Sequence, residues 1–252
     1  MKERPILFNA QIVQAILEGR KTQTRRIIKW PGKNKPADIR KNPDNDHWYK
    51  DFIWSMRTYN GVWADYKNDR FLEFCKQGKP GDRLWVKETW CDPSSEGYPI
   101  MYRAECENGV YYWGCDDEGP VFVPEKNYKW KPSIFMRREY SRILLEIIDI
   151  KVERIQDISE EDAKAEGVES LDSEIEYENR DYTICPACGG TRLVNSIGMG
   201  GGVIFDTDCF KCDTHKKRFM HLWESINKKR GYGWDVNPWV WVINFKLLEV
   251  KR

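Results

Sequence analysis

Two groups of residues in this chain have the types and spacing for chemistry. The first is Cys185-Pro-Ala-Cys188 and Cys209-Phe-Lys-Cys212, two C-x-x-C pairs separated by twenty residues. Two such knuckles supply four thiolates at the corners of a tetrahedron, the geometry a structural zinc ion (Zn2+) accepts. With four cysteine ligands the ion has no open position, so its expected role is to fold a short insert that lacks a core, not to catalyse. The second group is Leu17 to Arg26, LEGRKTQTRR, which seats Thr22 and Thr24 among Arg20, Lys21, Arg25 and Arg26. A nucleic-acid patch explains the cations. It does not by itself explain the hydroxyls.

Composition narrows the partners. Forty-one Lys plus Arg face forty Asp plus Glu, a formal net charge of +1. The chain therefore lacks the overall positive excess of a non-specific polyanion binder, and any nucleic-acid contact must be local. Twelve Trp, twelve Tyr and ten Phe suit both core filling and base stacking. No stretch approaches the ~20 apolar residues of a bilayer span, and MKERPILFNAQ carries no apolar core of signal-peptide length. A soluble, intracellular protein with no membrane partner is expected. In a reducing compartment the paired cysteines point to metal, while Cys75, Cys91, Cys106 and Cys115 read as buried or idle thiols. There is no P-loop or dinucleotide fingerprint, and His47, His215 and His221 are too scattered for a triad.

The elements that must position these residues are legible in part. Asn9 caps a helix through Leu17, with Ile12, Val13, Ile16 and Leu17 on one face and Gly19 as the stop. From Trp30 to about Asn68 a polar stretch with scattered aromatics fits a long ornamented insertion better than regular structure. Asp69 to Gln77 reads as a short helix ending at Gly78, and Lys79-Pro80-Gly81-Asp82 as a turn into a strand from Arg83 to Trp90. Further strands are expected over 99–105, 110–113, 141–148 and 150–155. Ser159 caps a helix ending at Gly167; a second helix spans Phe219 to Asn227, and a buried closing strand begins near Pro238. Short strands separated by turns argue for a barrel or a strongly curved sheet within an α+β protein.

Together these residues resemble the ASCH family, whose members share a PUA-like β-barrel. The resemblance is carried by Gly19 to Arg26 after the first helix, Gly81-Asp82 leading a strand, the Ser159-to-Gly167 helix and the apolar terminal strand. The family pattern in the first element is G-x-K-x-x-E-x-R; Gly19, Lys21 and Arg26 match, and Thr24 stands in place of the glutamate. That departure agrees with a branch of ASCH amidohydrolases acting on N4-acetylated cytidine, in which a lysine and a threonine three residues later pair with a glutamate from a later helix. Glu166 falls at the position of that glutamate. The resemblance covers roughly residues 4–28, 80–170 and 219–249, and the layout is similar to proteins of phages and prophages, which implies the cytoplasm of a bacterial host.

What the resemblance implies is a PUA-like barrel with flanking helices over 1–172, with an aromatic insertion at about 30–80. A zinc ribbon-like insertion follows over 173–218, and a C-terminal helix and closing strand over 219–252. Lys21, Thr24 and Glu166 are the implied catalytic residues. Burial beside Arg20, Arg25 or Arg26 is expected to push the Lys21 amine below its usual pKa of ~10.4. Thr24 would attack or hold the attacking water, and Glu166 would pass the proton to the departing N4 nitrogen. Glu88 and Trp90 of LWVKETW, with Tyr102 and Arg103, are further ligand-binding candidates, Trp90 as a base-stacking surface. The expected function is recognition of RNA or a modified nucleobase, with deacylation of N4-acetylcytidine as one alternative and RNA cleavage as another.

Overall fold

The computed structural model describes residues 1–29, 38–42, 53–58, 60–92, 100–105, 110–113, 121–124, 129–168, 185–189, 193–197, 199 and 201–251. They form a mixed α+β protein that divides into two compact units: Met1–Gly19, Pro36–Ile150 and Asn244–Arg252 in the first, and Arg20–Lys35 and Lys151–Ile243 in the second. In chain order the elements are β1 (Glu3–Leu7), α1 (Ala10–Leu17), β2 (Gln23–Ile27), β3 (Asp38–Lys41), β4 (Trp54–Arg57), β5 (Trp63–Tyr66), α2 (Asn68–Leu72), β6 (Arg83–Lys87), β7 (Trp90–Cys91), β8 (Met101–Tyr102), β9 (Val110–Trp113) and β10 (Val121–Pro124). The remainder are β11 (Ile143–Arg154), α3 (Glu160–Ala165), β12 (Leu193–Ile197), β13 (Val203–Asp208), α4 (His215–Asn227) and β14 (Trp239–Val250). No helix among the described residues is long and apolar enough to cross a membrane. His47, Trp48, Tyr49, Cys106 and Cys115 lie outside the described residues.

In the first unit the main sheet runs β1-β6-β11-β14. β1 pairs parallel with β6, Glu3 opposite Arg83, and β6 pairs antiparallel with β11, Leu144 opposite Trp85. Strict alternation along β6 buries Leu84 and Val86 and leaves Arg83, Trp85 and Lys87 half-buried, as a strand with one face on a core requires. α1 forms as expected: the Asn9 side chain accepts from the Ile12 N–H at 2.9 Å, and Gly19 ends the helix at φ +73°. The expected strand from Arg83 to Trp90 is interrupted. β6 stops at Lys87, and the chain joins a second ladder in which Trp90 faces Tyr102 and also bridges Lys131. Residues 101–105 form a two-residue strand and then a single 3-10 turn, Arg103–Glu105.

The polar stretch expected to be irregular contains an antiparallel three-stranded sheet, β3-β4-β5. Ile39, Trp54 and Met56 supply its buried side, and the Trp54 ring stacks on Phe71 with centroids 4.8 Å apart. The apolar partner that makes these strands worthwhile lies outside their own window, which is why local pattern missed them. The helix that carries Phe71 is shorter than expected, ending in turns that reach Gly78. At Gly78 φ is +125° and a Cβ would meet Asp82 Oδ2 at 3.0 Å, so only glycine fits there without displacement.

In the second unit the two long strands continue beside β2, in the order β11-β14-β2. Ile155, Ile158, Ala163, Phe219, Trp223, Val240 and Val242 pack as one core. The expected strands over 141–148 and 150–155 are a single strand, β11. α4 begins four residues earlier than expected because Thr214 caps it, its hydroxyl accepting from the Lys217 N–H at 3.2 Å. The closing strand is buried over 240–243 and turns solvent-exposed from Lys246 onward, a correction to its expected burial throughout. Phe71, fully buried in the first unit, generates one test: Phe71→Ala removes the ring on which β3-β4-β5 packs and should destabilise that unit by roughly 3–5 kcal/mol, read as a lowered urea midpoint.

Candidate functional site

The site builds from β2 and α3, both in the second unit. Successive strand side chains point to opposite faces, so Gln23 and Arg25 share one side of β2 and Thr24 and Arg26 the other. α3 starts at Ser159, whose hydroxyl accepts from the Asp162 N–H at 3.0 Å, and ends at Gly167, φ +75°. The end of α3 is pinned beside the start of β2: Lys21 and Glu166 form a β-bridge, and the Thr22 N–H donates to the Ala165 carbonyl at 2.9 Å.

Five residues of this region are almost fully buried: Lys21 at 3% exposure, Gln23 at 5%, Thr24 at 4%, Arg25 at 5% and Glu166 at 4%. Lys21 Nζ donates to Glu166 Oε2 and to the Glu166 carbonyl, each at 2.7 Å. Arg25 spends its whole fork on neighbours. Nε and Nη2 donate to Glu153 Oε1 at 2.9 and 2.5 Å, Nη2 to Asp162 Oδ2 at 3.0 Å, and Nη1 to Glu166 Oε1 at 3.2 Å and to Gln23. Gln23 Nε2 closes the ring to Asp162 at 3.1 Å, and the Phe219 ring lies 5.8 Å from the Arg25 guanidinium carbon. Burial is the largest influence on Lys21 and holds its ammonium below the ordinary lysine pKa. Glu166 opposes this shift, and Arg26 and Arg25 add to it.

Of the three residues expected to carry chemistry, the structure joins Lys21 and Glu166. Thr24 is buried, but its hydroxyl has no hydrogen-bond partner among the described residues. Of the expected ligand-binding arginines, Arg25 is committed to carboxylates. Arg20 is exposed, its guanidinium 3.5 Å from the Gly167 carbonyl, and Arg26 is half-buried. The sequence reading missed Glu153, and it used Asp162 only to mark a helix start. Asp162 does serve the cap through its N–H, while its carboxylate goes to Arg25 and Gln23.

Glu88, Trp90, Tyr102 and Arg103 belong to the first unit, where Glu88 and Tyr102 are held by Arg142, a residue sequence reasoning passed over. Arg142 grips Glu88 with Nε at 3.0 Å and Nη2 at 3.1 Å, reaches Glu105 with Nη1, and lies 4.1 Å over the Tyr102 ring. Tyr102 donates to the Tyr140 carbonyl at 2.9 Å. Trp90 packs against Tyr140 with ring centroids 4.8 Å apart and under Lys131 Nζ at 4.5 Å, while Arg103 lies 5.3 Å from the Trp130 ring. Burial raises the Glu88 carboxyl above its usual range, Arg142 opposing.

The four cysteines converge. Cys185, Cys188, Cys209 and Cys212 are all buried, and their sulfurs lie within 4.8 Å of one another. Sγ of Cys185 and Cys209 are 3.8 Å apart, and those of Cys188 and Cys212 3.4 Å. A disulfide needs about 2.0 Å, whereas sulfurs around one tetrahedral ion at ~2.3 Å stand about 3.8 Å apart, so the donor set fits a metal ion. Burial pushes the Cys209 and Cys212 thiols up, and the Cys185 sulfur adds to both shifts. A cation at the centre reverses that preference by stabilising thiolates.

No protein-family model, curated protein or solved structure matches the chain. The geometry itself offers two kinds of capability: a desolvated amine and carboxylate in contact, and four buried sulfurs close enough together to hold a metal ion. Two tests follow. Arg25→Ala leaves three carboxylates facing one another and should destabilise the protein by roughly 3–5 kcal/mol, with Arg25→Lys a poor rescue because an ammonium cannot reproduce the fork; urea denaturation reads both. Glu88 keeps its proton in the folded state above ~4.3, the ordinary glutamate value, at which the unfolded chain releases it. Its contribution to stability is therefore complete below that value and is lost as pH rises through the raised folded pKa. Glu88→Gln should remove that loss from the pH profile of unfolding.

Proposed function

We propose that the protein is an ASCH-type, PUA-like barrel protein that recognises a modified nucleobase at Lys21, Thr24 and Glu166. The observation that carries this reading is the buried Lys21–Glu166 contact at 2.7 Å. It offers a donor and an acceptor side by side, and a nucleobase edge presents the complementary pair. The charge balance favours a base over an RNA backbone. Three carboxylates, Glu153, Asp162 and Glu166, answer Lys21 and Arg25 in direct contact, so these cations are not available to release counterions from phosphates.

The second reading is amidohydrolysis of N4-acetylcytidine, favoured by the lowered Lys21 pKa and the uncommitted Thr24 hydroxyl. In it, Thr24 Oγ, or a water it holds, adds to the acyl carbon as neutral Lys21 accepts the proton. The C–N4 bond then breaks as Glu166 relays that proton to the leaving nitrogen and releases cytidine; a water nucleophile gives the carboxylic acid directly, whereas attack by Thr24 Oγ leaves an ester that a further water hydrolyses to the acid and free Thr24. RNA cleavage has no separate observation in its favour.

The cysteine quartet, on the same proposal, holds one structural zinc ion through Cys185, Cys188, Cys209 and Cys212. The chain's setting is the cytoplasm of a bacterial host, from a phage or prophage. The absence of disulfides at the six described cysteines accords with a reducing compartment.

Titration with N4-acetylcytidine tests the ligand. Binding should change less than ~2-fold between about 0.05 and 0.2 M salt, where a protein making several phosphate contacts loses about 10³-fold or more. Lys21→Ala should abolish it; steep salt dependence, or binding indifferent to Lys21→Ala, rejects the site. Cytidine released by the wild type and not by Thr24→Ala favours the hydrolase over pure recognition. For the quartet, metal analysis should find one zinc ion per chain, lost in Cys185→Ser.

A further inference from the structure

The cysteine knuckle and the carboxylate helix share a set of hydrogen bonds that neither role requires alone. Cys212 leads through Asp213 directly into Thr214, the cap of α4. The first two turns of α4 then hold the carbonyls of the second knuckle one by one. Lys217 Nζ donates to Phe210 at 2.7 Å, buried Arg218 Nε donates to Cys212 at 2.8 Å, and His221 Nε2 meets the Lys211 carbonyl at 2.9 Å. On the other side, the Glu160 carboxylate at the start of α3 accepts from the first N–H groups of α4. Its Oε2 takes the Lys216 N–H at 3.0 Å, and its Oε1 takes the His215 N–H and faces His215 Nδ1 at 2.9 Å. Lys216 Nζ returns to the Gln156 carbonyl at 2.7 Å, just ahead of α3.

α3 has six residues, far below the ~12–15 at which an isolated helix holds in water. It persists through what it touches: Ala163 in the core with Phe219 and Trp223, Asp162 and Glu166 on Arg25 and Lys21, and Glu160 on the end of α4. Among the described residues the one partly buried apolar side chain packed against the four cysteines is Val194, while Phe210 is exposed. Besides an ion, the described contacts that hold the Cys209–Cys212 segment are the Cys212 N–H to the Cys209 carbonyl at 3.2 Å and the β12–β13 ladder that ends at Asp208.

We propose that Glu160 is a positioning residue that couples metal occupancy of the cysteine quartet to the order of α3, and through α3 to the Lys21–Glu166 contact. The inference rests on the quartet binding a metal, and not on what the Lys21 site binds. Loss of the ion releases the knuckle carbonyls from Lys217, Arg218 and His221, and the first turn of α4 loosens. Glu160 then loses its N–H partners, and α3 frays from the end opposite Glu166.

Hydrogen–deuterium exchange on the full chain tests this with a readout that needs no ligand. The peptide over 159–167 should exchange about tenfold faster after chelation, the effect of weakening local order by about 1.4 kcal/mol, and zinc should restore it. Trimethylation or acetylation of Lys21 by a small amine reagent, read by mass spectrometry, should rise in parallel as the amine becomes accessible. Glu160→Ala with zinc bound should reproduce both changes. Glu161→Ala, an exposed neighbour with the same change of charge and helix propensity, should not. A chain that takes up no metal overturns the quartet assignment and this link together. A chain that binds zinc yet shows the same α3 exchange with and without it overturns the link alone. Should chelation unfold the protein throughout, the zinc-bound Glu160→Ala and Glu161→Ala pair decides, and equal exchange in the two rejects Glu160 as the connection.

Discussion

The second unit depends on one fact of electrostatics: the Arg25 guanidinium has no exposed surface, so each of its donors must find an acceptor within the protein. A buried cation left unpaired is far more costly than any local strain. The acceptors come from three places in the chain: Gln23 on the same strand, Glu153 near the end of β11, and Asp162 with Glu166 from α3. One side chain therefore fixes the relation of three elements. Because Arg25 holds Glu166 Oε1 while Lys21 holds Oε2, the carboxylate is fixed at both oxygens. The amine that faces it is desolvated by the same packing. Burial first, with Arg26 and Arg25 adding to it and Glu166 opposing, lowers the pKa of the Lys21 ammonium.

The first unit solves a similar problem differently. Arg142 is also buried, but its partners are two carboxylates and the face of an aromatic ring, with Glu88 at 1% exposure beneath it. Glu88 is the residue at which β6 gives way to the next ladder. A glutamate buried that deeply must follow its partner, and Arg142 precedes the first residue of β11, so pairing the two is compatible with β6 ending at Lys87. In both units an arginine paired with carboxylates marks where a strand stops or a helix docks, in the second unit beside the apolar packing of Ala163 on Phe219 and Trp223. Ion pairs of this kind add little net stability, but they are directional, and an apolar replacement would permit many more registers.

How much of this was legible follows from the range of each interaction. α1 and α3 were legible to the residue at their starts because a cap is a local hydrogen bond, from Asn9 to Ile12 and from Ser159 to Asp162. The cysteine quartet was legible because its two C-x-x-C pairs already encode the knuckle geometry. Lys21 and Glu166 were brought together by family resemblance, since nothing in their own surroundings connects residues 145 positions apart. The fate of Arg25 was not legible: a strand arginine is ordinarily solvated, and its three carboxylates lie 128 to 141 positions away. β3-β4-β5 escaped for the same reason, as its apolar cover, Phe71, belongs to a separate helix. Arg142 escaped because a lone cation before an apolar strand carries no pattern.

Near-zero net charge also takes on a different meaning at this scale. A formal +1 over the whole chain is compatible with a basic groove offset by acids elsewhere, and the run from Arg20 to Arg26 invites that expectation. The acids prove to be local. Lys21 and Arg25 are each matched by carboxylates at hydrogen-bond distance, so the field near them is short-ranged and dipolar. Such a field discriminates the orientation of a small neutral polar group far better than it attracts a polyanion from a distance. Thr24, on the opposite side of β2 from Gln23 and Arg25 and itself at 4% exposure, takes no part in this pairing of charges.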